Sequence, residues 1–64
     1  MLIGIPEGKS ITYLNPQYVV QVYTSLRNGQ EVTKIYLHGV EDPVTTSVPI
    51  DEIVTQFKES STLP

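Results

Sequence analysis

The sequence predicts a small, mainly β domain of the α+β class, about five strands closed by one C-terminal helix. Three observations carry this expectation. First, breaks fall at Pro6-Glu7-Gly8-Lys9, Asn15-Pro16, Asn28-Gly29 and 39–43, and the segments between them are rich in Val, Ile, Tyr and Thr. Those residues suit a pleated, half-buried surface. Second, both residues of Asn28-Gly29 tolerate φ > 0, as a two-residue type I′ hairpin turn requires. Third, after Pro49 the apolar spacing becomes helical, with Ile50, Ile53, Val54 and Phe57 at i, i+3, i+4 and i+7.

Taken in order, strands are expected at 2–5, 10–14, 18–26, 31–38 and 44–48. The first stops at a turn in which Pro6 presets φ and Gly8 tolerates a positive one. The second stops at Asn15, because a residue before proline is driven out of the helical region. The third and fourth form a hairpin flanked by Arg27 and Gln30. In that register Val20 faces Leu37, Val22 faces Ile35 and Thr24 faces Thr33, while Gln21 faces Tyr36, Tyr23 faces Lys34 and Ser25 faces Val32. One face is thus aliphatic and the other polar and aromatic, a separation that a one-residue slip would destroy. The fifth strand follows the 39–43 loop. Whether the strands form an open antiparallel sheet or a partly closed barrel is left open.

The helix is expected over 50–58. Pro49 suits its first turn, Asp51 and Glu52 lie near the positive end of its dipole, and Lys58 lies near the negative end. A helix of roughly ten residues is not stable alone. Ile53, Val54 and Phe57 must therefore dock on the aliphatic face, with Phe57 buried. Residues 1–59 are expected to be one domain and 60–64 a frayed tail.

With 64 residues there is room for one core. A domain this small buries only about 60% of the surface its unfolded chain exposes. Self-association is one route to more core, and the uncharged first strand is the edge expected to be covered, by its own sheet or by a second copy. The chain has no cysteine, which excludes disulfides and thiolate metal sites and fits a reducing cytoplasm. No apolar run approaches the ~20 residues of a membrane span. The apolar run 1–5 is too short for a signal peptide. The net charge is −3, and Lys9, Arg27, Lys34 and Lys58 are scattered. An acidic surface repels phosphate, so nucleic acid is not the expected partner.

Candidate chemistry is sparse. His38 is the one side chain that titrates near neutrality by default. Glu41 and Asp42 are near it in a loop, but no nucleophile accompanies them, and a surface or loop histidine is the preferred reading. The pairs Glu41-Asp42 and Asp51-Glu52 diverge rather than converge, whereas a hard cation needs several converging oxygens. Ser10, Ser25 and Ser47 have no triad context, and the four glycines form no phosphate loop. No catalytic residue, cofactor or metal is expected. Tyr18, Tyr23 and Tyr36 stand out instead, because tyrosine buries area at interfaces at low entropic cost. Tyr23 and Tyr36 share a face with Lys34, and these three are the candidate interaction surface.

From Leu14 to Val22 the chain resembles the small FlbD-type flagellar proteins. Tyr18, Val19 and Val22 follow Asn15 at three, four and seven positions, residues 34–39 look like that family's strand ending in Gly, and residues 48–53 look like its entry to an acidic helix. The loops at 27–31 and 40–43 are longer than the family's. A second resemblance is to the carbon storage regulator family, CsrA, an RNA-binding homodimer of five strands and a helix. Residues 1–3, 8–11 and 48–53 carry it, but Pro6, Pro49 and Ile50 occupy the positions where that family holds RNA with Arg and a His-Arg pair. The expected function is a non-enzymatic protein-interaction module that self-associates or binds another protein. The alternative is a CsrA-like post-transcriptional RNA-binding regulator.

Overall fold

A computed structural model describes residues 2–61. The chain runs β1 (Ile3–Glu7), β2 (Ser10–Leu14), a 3-10 turn (Pro16–Tyr18), β3 (Val19–Arg27), β4 (Gln30–Leu37), β5 (Val44–Thr46) and α1 (Ile50–Ser61). The strands form two antiparallel sheets, β1-β2 and β3-β4-β5. The fold class is mainly β with one C-terminal helix, as expected. Of the two architectures left open, the described strands form open sheets rather than a closed barrel.

Pro6 does not end β1. It lies within the strand opposite Ile11, and the tight turn is confined to Gly8-Lys9, with Gly8 at φ 62°. Glu7 and Ser10 flank that turn as a hydrogen-bonded pair, so alternation leaves Pro6 at a position that owes no N–H to β2. The outer side of this hairpin carries exposed Leu2, Ile11 and Tyr13. A Cβ on Gly4 would lie 3.0 Å from the Tyr13 ring, so glycine lets that ring lie over the strand.

The β3–β4 hairpin turns at Asn28-Gly29 with φ of 53° and 78°, and Val22 pairs with Ile35 as the sequence predicts. Thr24 with Thr33, Gln21 with Tyr36, Tyr23 with Lys34 and Ser25 with Val32 also match. One pair differs. Val19, not Val20, lies opposite Leu37, because a bulge between Val19 and Gln21 absorbs one residue and leaves Val20 exposed. Its origin is the 3-10 turn before it. Asn15 is extended at ψ 117°, its Oδ1 accepts from the Gln17 N–H at 3.0 Å, and the Tyr18 N–H donates to the Asn15 carbonyl at 3.0 Å. Tyr18 therefore belongs to the turn, and the strand starts one residue later than expected.

The fifth strand is shorter than the expected 44–48. Thr33 and Thr46 are paired and both buried. Thr33 Oγ1 donates to the Val48 carbonyl at 2.8 Å, and the Val48 N–H donates to Thr46 Oγ1 at 3.2 Å. The two hydroxyls satisfy both backbone groups of Val48 and turn the chain out of the sheet toward the helix. Pro49 then serves as the last residue before α1, its carbonyl accepting from the Glu52 and Ile53 N–H groups. The helix runs to Ser61, three residues past the expected end and into the segment expected to be a tail. The remainder of that tail, 62–64, lies outside the described residues.

Ile5, Leu14, Ile35, Val44 and Ile53 form the buried core, with Ile3, Val19, Val22, Leu37, Val48 and Phe57 packed around it. The helix thus docks on the aliphatic side of the sheet, as expected. Its buried anchor is Ile53, however, and Phe57 is only half-buried, at the margin of the core.

Candidate functional site

Strand alternation carries Tyr23, Lys34 and Tyr36 onto the face of the three-stranded sheet that points away from the core. All three are half-buried. Tyr23 pairs with Lys34 and Gln21 with Tyr36, so the two tyrosines are diagonal neighbours across the β3–β4 ladder. Their rings stack with centroids 5.8 Å apart and planes inclined at 16°, and their hydroxyls meet at 3.5 Å. Ser25 and Val32 extend the same face toward the hairpin tip, where Arg27 follows by alternation. The structure brings the three predicted residues together, with Thr45 of β5 beside Lys34.

The Tyr36 phenol is held above 10, the ordinary value. The Tyr23 hydroxyl is the main cause, through its hydrogen bond and through repulsion once both rings ionise; partial desolvation and Asp42 act in the same direction, and Lys34 opposes them. The Tyr36 hydroxyl thus holds its proton more tightly than a free phenol does, next to the Tyr23 hydroxyl and the Lys34 side chain.

The remaining candidates are dispersed. His38 is exposed just beyond β4, its N–H donating to the Tyr18 carbonyl at 2.7 Å, and Glu41 and Asp42 are exposed in the following loop. Tyr18 is exposed at the far end of β3. Among the described residues no group of three His, Asp or Glu side chains could hold a metal ion. A depression of about 190 Å³ lies between the hairpin and the start of α1, with Glu31 and Asp51 in its lining. A wider, shallow hollow of about 310 Å³ lies along α1, lined by Asp51, Glu52, Thr55 and Gln56. No helix among the described residues is long and apolar enough to cross a membrane.

Sequence reasoning missed Glu7. One carboxylate oxygen accepts from Thr12 Oγ1 at 2.7 Å, and the other accepts from the Thr45 N–H of β5 at 3.2 Å. A single side chain thereby ties the small hairpin to the outer edge of the large sheet. Position in a turn was its only sequence signal.

No protein-family model matches the chain, and no curated protein or solved structure matches it.

Proposed function

We propose that the chain is a non-enzymatic protein-interaction module that presents Tyr23, Lys34 and Tyr36 to a protein partner. The stacked tyrosine pair on the sheet face opposite the core carries this reading. Two rings held together lose little entropy on binding, and Lys34 beside them offers a charge to an acidic group. The cysteine-free composition supports a cytoplasmic setting. The RNA-binding alternative is disfavoured by charge. Lys34 and Arg27 are the cations on this face, on a chain of net charge −3, and the two rings stack on each other rather than standing open to bases.

Affinity capture tests the proposal with the wild type, Tyr36→Ala and Lys34→Glu side by side. A protein retained by the wild type and lost from both variants supports it. An identical set from all three refutes it, and salt-sensitive capture of single-stranded RNA would favour the alternative.

A further inference from the structure

We infer that Asn28-Gly29 is a site of spontaneous covalent modification: the Gly29 nitrogen closes on the Asn28 side chain to give a succinimide, and water opens the ring to aspartate or isoaspartate. This rests on the hairpin tip and does not need the reading of the tyrosine face.

The reaction needs a free side-chain amide, an unhindered main-chain nitrogen after it, and a backbone that brings the two together. Asn28 and Gly29 are both exposed. Arg27 and Gln30 close the turn, and among the described residues no hydrogen bond holds the Asn28 side chain or the Gly29 N–H. A Cβ on Gly29 would meet nothing within 4 Å, so the peptide between the two residues has room to rotate.

The reactive backbone is one such rotation away. Asn28 at φ 53° and Gly29 at φ 78° form a type I′ turn. Turning over the peptide plane between them gives a type II′ turn, whose first central residue keeps φ near about 60° and takes ψ to about −120°. At that ψ the Gly29 nitrogen eclipses the Asn28 Cβ, which is the geometry of the five-membered ring. Gly29 then moves to a negative φ, which glycine adopts as readily as a positive one. Both turn types suit a two-residue loop between twisted strands, so the β3–β4 register is kept and ring closure does not require unfolding.

In the first step the bond from the Gly29 nitrogen to Asn28 Cγ forms, the Cγ–Nδ2 bond breaks, and the proton from the Gly29 nitrogen leaves with Nδ2 as ammonia. In the second step water is the co-reactant. Its attack at Cγ restores the main chain and leaves aspartate. Its attack at the main-chain carbonyl carbon leaves isoaspartate, whose backbone runs through the side chain and is longer by one carbon. A two-residue loop has no slack for that carbon, so the Arg27–Gln30 pair takes the strain. Asn15 is the built-in contrast. Pro16 after it has no N–H to give up, and its Oδ1 already accepts from the Gln17 N–H.

Prolonged incubation of the folded chain at neutral pH tests this, followed by peptide mass mapping with fragmentation that separates aspartate from isoaspartate. The wild type is expected to exchange NH for O at position 28 and not at Asn15. Hydroxylamine, which cuts a chain at a succinimide, is expected to release 1–28 and 29–64. Asn28→Gly keeps a residue tolerant of positive φ in the turn and is expected to stay unmodified and uncut. Phe57→Ala lowers stability from the margin of the core, away from the tip, and is expected to react at the wild-type rate. An intact position 28 in the folded chain, over a time that modifies the guanidinium-unfolded chain, overturns the inference. So does a Phe57→Ala rate that rises in step with its unfolded fraction, since the reaction would then run through unfolding and not through the turn.

Discussion

Tyr36 and Tyr23 pair diagonally across β3 and β4, and the pairing makes Tyr36 a harder acid to ionise. Because its value is raised on folding, any stability it contributes is fully present below pH 10 and lost as pH rises through the folded value. The contact is solvent-facing, so this contribution is small and screened. The titration itself is the sharper measurement. Tyr23→Phe removes the neighbouring hydroxyl, and the Tyr36 midpoint is expected to fall toward 10, followed by NMR of ¹³C-labelled tyrosine. An unchanged midpoint would show that the hydroxyls do not interact. Alternation made this pairing legible in the sequence, since it follows from the hairpin register alone. Asn28-Gly29 was legible for a similar reason, because its backbone requirement is local. Glu7 was not, since its partners Thr12 and Thr45 are brought to it by two different sheets. Nor was the exposure of Val20, which depends on how a 3-10 turn hands the chain to β3.

The helix shows the same division at the scale of an element. Its apolar period located it and chose its docking face, but periodicity does not rank the residues on that face by depth. Ile53 is fully buried and Phe57 sits at the margin. Ile53→Ala is therefore expected to cost about 2–5 kcal/mol, the range for truncating a buried aliphatic side chain. Phe57→Ala should cost about 2 kcal/mol, below the ~3–5 kcal/mol of a fully buried ring. A domain of this length has roughly 3–10 kcal/mol in total, so the first variant approaches global unfolding and the second does not. Urea denaturation of both checks the order, and a larger loss for Phe57→Ala would show that the helix is anchored differently. β5 is shorter than its β-rich sequence predicts because its end is set by the hydroxyls of Thr33 and Thr46, one of them on another strand. β-Propensity carries no information about such captures.

Viewed whole, the molecule is elongated, 40 × 24 × 21 Å, with Ile5, Leu14, Ile35, Val44 and Ile53 buried at its centre. Each of its two sheets completes its own ladder, and β1 lies beside β5 without pairing with it. The core and the Glu7 carboxylate are what hold the hairpin in place. That bridge has a kinetic consequence. The Thr45 amide is shielded by a side chain from the other sheet, so the hydrogen of this amide can exchange with solvent whenever the β1–β2 hairpin swings away, with the β3–β4 ladder still closed. Deuterium uptake at Thr45 is thus a clock for hairpin undocking, read separately from global opening. In Glu7→Ala the clock is expected to run near the rate of an unprotected amide, while amides shared by β3 and β4 keep wild-type rates. Equal acceleration at all of them would mean that hairpin and sheet open as one unit.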